Sequence, residues 1–364
     1  MRKGLLFATA ALSAALLSTV TACGSSSSGT GSASAKKPKI GVILPDSKSS
    51  VRWETADRPY LAAAFKAAGV DYDIQNAEGD KQTFQTIADQ MITSGVNVLI
   101  IVNLDSGTGK AVLDKAKTQG VATIDYDRLT LGGSAQYYVS FDNTQVGKLQ
   151  GQGLTKCLGD MGAKNPVVAE LNGSPTDNNA TLFANGYNSV LDPLYASGTY
   201  TKGPNQSVPD WDSAQAQTIF EQMNTSQPNI GGVLAANDGL ANAAIAVLRK
   251  NHRNGQVPIT GQDATVQGLQ NILAGDQCMT VYKAVKKEAD AVSALAVSLA
   301  GGKKGQTSAT VHDPTGNRDV PSALLTPEAV FKDNIQDVIT DGFVTKAQLC
   351  TGDYDALCTK AGIK

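Results

Sequence analysis

Histidine is scarce in this chain. Only His252 and His312 occur in 364 residues, and no Cys-x-x-Cys with a companion pair is present. A zinc centre built on His and Cys therefore lacks its ligands, and no nucleophile–His pair stands out for covalent catalysis. The formal net charge is −2 with no basic stripe, which argues against nucleic acid as a partner. Heptads, fixed-period repeats and long runs of one charge are missing. So is a Gly-rich turn or a carboxylate-free Arg/Lys cluster of the kind that cradles phosphate. No metal or cofactor is expected.

The longest apolar run sits at the start, in "MRKGLLFATAALSAALLSTVTAC". Arg2 and Lys3 precede an apolar stretch from Leu5 to about Val20, and small residues lead into Cys23. The run is short and Ala-rich for a membrane span, and its layout is that of an export signal. The ending "VTAC" resembles the lipobox of bacterial lipoproteins, which implies lipidation of Cys23; a plain secretory signal cut nearby is the alternative. Several acyl chains on one residue would anchor it firmly, at about 0.8 kcal/mol per buried CH₂. Residues 24–38, "GSSSSGTGSASAKKP" from Gly24, read as a flexible Gly/Ser tether. An extracytoplasmic body anchored to the cell membrane is the expectation.

From about Lys39 onward the length favours two domains. Short apolar runs alternate with amphipathic stretches: "KIGVIL" (39–44), "VDYDIQ" (70–75), "VNVLIIV" (96–102), "VATIDY" (121–126), "QYYVSF" (136–141), "PVVAEL" (166–171), "IGGVLAA" (230–236), "VPIT" (257–260) and "CMTVYK" (278–283). Helical patterns such as 58–69, 83–95 and 239–251 lie between them. This rhythm predicts an α/β fold with two parallel sheets, one before about residue 141 and one after it. Residues 301–325 read as a polar loop region. Apart from Cys23, the cysteines are Cys157, Cys278, Cys350 and Cys358, which allow three pairings in an exported protein. Cys350 and Cys358 are close in sequence and form the preferred pair, which leaves Cys157 with Cys278.

In open α/β sheets a ligand sits beyond the carboxyl ends of the strands. Those ends carry Arg52 and Trp53 after the first strand, Asp127 and Arg128 after "VATIDY", and the crowded "NGSPTDNNA" after "PVVAEL". Asn237, Asp263 and Lys283 follow the later strands. Asp and Asn are ordinary caps and turn formers, so any one of them means little. Together, carboxylates, amides, cations and two Trp suit an uncharged polyhydroxylated ligand. Each hydroxyl both donates and accepts, planar forks engage neighbouring hydroxyls, and an indole covers a C–H face.

"YDRL" (126–129), "SFDNTQVGKLQ" (140–150), "GSPTDNNA" (173–180), "ANDG" (236–239), "GQDA" (261–264), "MTVYK" (279–283) and "VPSALLTP" (320–327) carry a resemblance. Over roughly residues 39–345 the chain is similar to the periplasmic sugar-binding proteins of ABC importers, within the D-xylose-binding and multiple-sugar-binding group. The resemblance implies a type I periplasmic binding protein fold, with two Rossmann-like lobes joined by a three-segment hinge. Lobe one would hold 39–141 and 282–306, lobe two 142–281 and 307–345, and 346–364 would be a tail. The implied ligand set is Arg52, Trp53, Asp127, Arg128, Asp177, Asn178, Trp211, Asn237, Asp263 and Lys283. Asp127, Asp177 and Lys283 have an alternative role in structural ion pairs, and both Trp could be core. Arg52 lies in "DSKSSVRW", which departs from the family's more charged loop. Asn179 is read as support for the site, and Asp46, Lys48, Asn103 and Asp105 as rim or caps.

The function these readings imply is capture of a monosaccharide, D-xylose first, by a monomeric lipid-anchored receptor that delivers it to ABC permease subunits through lobe closure. A sugar-sensing subunit would present the same cleft. A glycosidase using Asp177 and Asp263 is the enzymatic alternative, and the absence of a nucleophile–base pair counts against it.

Overall fold

The computed structural model describes residues 37–364; Cys23 and almost all of the Gly/Ser tether lie outside the described residues. The first part alternates strand and helix: β1 (Lys39–Leu44), α1 (Arg58–Ala68), β2 (Asp71–Asn76), α2 (Lys81–Thr93), β3 (Val98–Ile101), α3 (Ser106–Thr118), β4 (Ala122–Tyr126) and β5 (Tyr137–Phe141). Strands β2, β1, β3, β4 and β5 pair side by side in parallel. Their side chains alternate between two covered faces, as period two requires. Ile40, Val42, Val98 and Ile100 pack under α1, whereas Ile43, Leu99 and Ile101 pack under α2 and α3. Asp80 and Asp105 cap α2 and α3 by accepting from Thr83 N and Thr108 N. Gly69 ends α1 at φ 68°, a left-handed conformation that a side chain disfavours.

The chain then crosses to a second lobe of α4 (Asn143–Asp160), β6 (Val167–Asn172), α5 (Asn178–Ala196), β7 (Thr201–Ser207), α6 (Ser213–Ser226), β8 (Ile230–Ala235), α7 (Asp238–Lys250), α8 (Val266–Ala274) and β9 (Thr280–Tyr282). β6 pairs in parallel with β7 and β8. The expected strand at 257–260 is reduced to a bridge between Val233 and Ile259, because Pro258 has no N–H to give a ladder. β7 was not anticipated. It is a largely exposed edge strand whose "TKGPNQS" has no apolar alternation to read.

A second crossing leads into α9 (Val285–Ala300), which returns to the first lobe and buries Ala289, Val292 and Ala296 against β1, β3 and β4. The stretch read as polar loop then forms a hairpin, β10 (Ala309–Asp313) and β11 (Arg318–Leu325). β11 pairs in parallel with β5, Ser322 opposite Tyr138 and Leu325 opposite Phe141. Residues 307–325 therefore belong to lobe one, not lobe two. They look loop-like because β10 is the solvated edge of the sheet, with alternate residues exposed.

The third crossing precedes β12 (Glu328–Val330), which pairs antiparallel with β9. α10 (Ile335–Thr340), α11 (Lys346–Leu349) and α12 (Tyr354–Lys360) complete lobe two. The tail of residues 346–364 packs on lobe two: Leu349, Cys358 and Ile363 are buried with Leu269 and Leu273 of α8. Disulfides join Cys157 to Cys278 and Cys350 to Cys358, with Cα separations of 6.4 and 5.9 Å.

Candidate functional site

Every strand end named above opens toward one crevice between the lobes. Arg52, Trp53, Asp127, Arg128, Asp177, Trp211, Asn237, Asp263 and Lys283 surround a single cavity of about 30 Å³. Asn178 does not. It is half-exposed at the start of α5, and its neighbour Asn179 lines the cavity instead. Asp177 is the helix cap and accepts from Asn179 N at 2.9 Å. The turn this cap fixes directs Asn179 inward, where Asn179 Nδ2 donates to the main-chain O and Oδ1 of Asp127.

Left-handed backbone is concentrated here. Asp127, Asp210, Trp211, Asp263 and Ala264 all have φ between 47° and 93°, a cost that non-glycine residues bear mostly at functional sites. The two lobes also touch through the site's own polar groups. Arg128 Nε lies 3.1 Å from Asp177 Oδ2, Ser50 Oγ donates to Asp263 Oδ2 at 3.0 Å, and Asn237 Nδ2 donates to Ser49 O at 3.2 Å. Lys283, at the second crossing, sits 3.1 Å from Asp263 Oδ1.

Arg52 behaves differently from the rest. Its guanidinium is buried and already holds three carboxylates: Asp57 through Nε and Nη2, Asp127 through Nη1, and Glu288 through Nη2. Tyr126 adds a hydrogen bond to Asp57 at 2.6 Å. Arg52 thus reaches the cavity wall mainly as the anchor of Asp127. Burial pushes the Asp127 carboxyl up, but the charges of Arg52, Lys283 and Arg128 outweigh it and hold the group below its ordinary value. Burial dominates at Asp177 and Glu288 and raises both, Glu288 well above the usual carboxyl range.

Two indoles bracket the cavity. Trp53, from lobe one, donates to Ser49 Oγ and stacks near Arg52 and Arg128, whose Cζ atoms lie 4.5 and 5.6 Å from the ring. Trp211, from lobe two, donates to Asp177 Oδ2 and meets Phe183 edge-on. Several wall residues escaped sequence reasoning: Ser49, Ser50, Phe183 and Gln262, whereas Asn179, read as support for the site, does hold Asp127. Gln262 had a signal, since it precedes Asp263 at a strand end. Its Nε2 donates to Ala236 O, and its buried Oε1 has no partner among the described residues. Asn103 and Asp105 serve as structural support, Asn103 donating to Arg128 O and Asp105 capping α3.

Charge in the wall balances. Arg52, Arg128 and Lys283 face Asp127, Asp177 and Asp263. Among the described residues no cluster of His, Cys, Asp and Glu is arranged to hold a metal ion.

The sequence profile of the periplasmic binding protein domain matches residues 40–304. The chain belongs to this family. The D-xylose-binding periplasmic protein of Escherichia coli (strain K12) is 37% identical to it over 319 residues, covering 87% of this chain and 94% of the relative. The multiple sugar-binding periplasmic protein of Azospirillum brasilense is 35% identical over 328 residues, 86% of this chain and 91% of the relative. Among solved structures, an ABC transporter solute-binding protein from Clostridium phytofermentans with bound β-D-glucose superposes with a TM-score of 0.80 at 29% identity, over 85% of this chain and 99% of that one. The type I fold, with two lobes and mostly parallel sheets, is that of these periplasmic binding proteins, which bind their ligands rather than transform them.

Proposed function

We propose that this periplasmic binding protein captures one aldose between its lobes, D-xylose first, and presents it to the permease of an ABC importer. The observation that carries the reading is the balanced wall: three cations and three carboxylates, all buried, with amides and two indoles among them. A charged ligand would leave one sign in excess, whereas hydroxyls take hydrogen bonds from Arg128, Lys283 and the amides and give them to Asp127, Asp177 and Asp263. Hydrogen bonds to charged groups contribute about 1.5–3 kcal/mol each, so a few of them reach micromolar affinity after the entropic losses. The names of the Escherichia coli and Azospirillum relatives support a sugar as the ligand, and the first of them is the reason to test D-xylose first. Lipidation at Cys23 would hold the receptor at the membrane, as a monomer on its tether.

The test is a thermal-shift panel of free aldoses. One or two are expected to raise the melting temperature strongly, because a ligand that binds only the folded state stabilises it by mass action. Asn237→Ala and Asp263→Ala are expected to abolish that rise. A panel with no response, or variants that respond like the parent, would place the ligand elsewhere.

A further inference from the structure

A second space of about 300 Å³ adjoins the cavity. Ser49, Arg128, Asp177 and Trp211 line both spaces and so make the partition between them. The partition is built largely of side chains: the Arg128–Asp177 ion pair, and the indole that donates to the same carboxylate oxygen. Arg128 is buried, and its Nε has no well-directed hydrogen bond although Asp177 Oδ2 is 3.1 Å away. Side chains held in this way can part around a ligand where backbone could not.

The outer chamber has the chemistry of the inner wall in a looser form. Lobe one contributes Asp46, Lys48, Glu78 and Lys81, and lobe two contributes Thr176 and Asp210. Asp46 is spent on backbone N–H groups of Lys48 and Ser49. Lys48 and Asp210, from opposite lobes, have no side-chain ion pair or hydrogen bond among the described residues and are free to meet hydroxyls. The backbone is again left-handed at Glu78, Asp210 and Trp211, with φ of 50°, 52° and 56°. Gly173 keeps the indole's place, since a Cβ there would stand 2.0 Å from the Trp211 ring. Another space of about 360 Å³ also meets the inner cavity, at Ser49, Ser50, Arg52, Asn237 and Asp263, but between its polar groups it carries Val51, Ala56, Val266, Phe343 and Val344, a larger apolar component than the outer chamber has.

We propose that the outer chamber is a subsite for a second polyhydroxylated unit, glycosidically joined to the ring in the inner cavity, so that disaccharides bind as well as free aldoses. This rests on the reading of the inner cavity as a monosaccharide site. Trp211 would then stand between two rings, and Lys48 and Asp210 would engage the outer one.

Calorimetric titration of the full chain with D-xylose, D-glucose, xylobiose and cellobiose tests it. At least one disaccharide is expected to bind within about tenfold of its monosaccharide. Thr176→Trp, which fills the outer chamber, should weaken the disaccharide by about tenfold or more and leave the monosaccharide within about twofold. Lys48→Ala is the milder companion, expected to weaken only the disaccharide, and retained monosaccharide binding shows that either variant is folded. If monosaccharides bind and no disaccharide does, the outer subsite is refuted and the monosaccharide reading stands. A disaccharide that binds both variants as it binds the parent also refutes the subsite. If no sugar binds, both readings fall together.

Discussion

One residue's displacement separates Asn178 from Asn179, and it shows how far residue types alone can be read. "TDNN" announces a polar cluster at a strand end, but which amide faces inward depends on the cap. Once Asp177 takes Asn179 N, only Asn179 reaches Asp127, at 3.0 and 3.1 Å. Asn179→Ala should therefore weaken sugar binding by about 1.5–3 kcal/mol, the range for losing a hydrogen bond to a charged group. Asn178→Ala should leave the titration unchanged. Equal effects from the two substitutions would contradict the geometry. Arg52 was legible as a site residue, but its ties to Asp57 and Glu288 were not, because contacts across 5 and 236 positions follow from the fold rather than from spacing. Those ties carry a pH dependence. Burial first, then Asp127 and Asp57, raise the Glu288 carboxyl well above its ordinary 4.5. The folded chain therefore keeps a proton that the unfolded chain releases. The stability this gives is fully present below about pH 4.5 and is lost as pH rises through the folded value. Glu288→Gln is neutral at every pH, so its melting temperature should fall less than the parent's between about pH 5 and pH 8. Parallel melting curves would show that Glu288 does not titrate in this way.

At the scale of elements, the strands with strong apolar runs were readable and the edge strands were not. β1, β3, β6 and β8 are buried on both faces and spell this out in Ile, Val and Leu. β7 and β10 are solvated edges, where polar residues satisfy the same backbone geometry, so nothing local distinguishes them from loop. The placing of 307–325 in lobe two failed for the same reason, since the hairpin's place in lobe one is decided by β11 pairing with β5. The disulfides make a testable contrast. Cys157 on α4 and Cys278 before β9 are 121 positions apart, and Cys350 and Cys358 only 8. Constraint of the unfolded chain grows with loop length, giving about 5 kcal/mol for the long loop and about 2.5 kcal/mol for the short one in the chain-entropy account. Replacing Cys157 and Cys278 with Ala should lower the melting temperature clearly more than replacing Cys350 and Cys358. The reverse order would mean that packing of the C-terminal helices, not chain entropy, dominates.

For the whole molecule, the crossings at about residues 142, 283 and 326 let one lobe turn against the other, and the contacts that span the cleft belong to the ligand site itself. Such a design couples occupancy to closure, because a ligand shifts the balance only by the difference in its affinity for the two arrangements. Asn143 lies directly beyond the first crossing. Its Nδ2 is 2.9 Å from Asn179 Oδ1 and 3.2 Å from Ser140 Oγ, so one amide ties α4 to the end of β5 and to α5. It is buried but is not part of the cavity wall. Removing it should disfavour the closed arrangement while deleting no side chain of the cavity wall, although Asn179 Oδ1 loses the donor it accepts from. A loss of about 1 kcal/mol there lowers apparent affinity about fivefold. Small-angle scattering with added sugar should show the parent contracting on binding, and Asn143→Ala contracting to the same final size at higher sugar concentration. A variant that saturates to a larger final size would instead make Asn143 part of the closed geometry itself, and an unchanged titration would remove it from the closure mechanism.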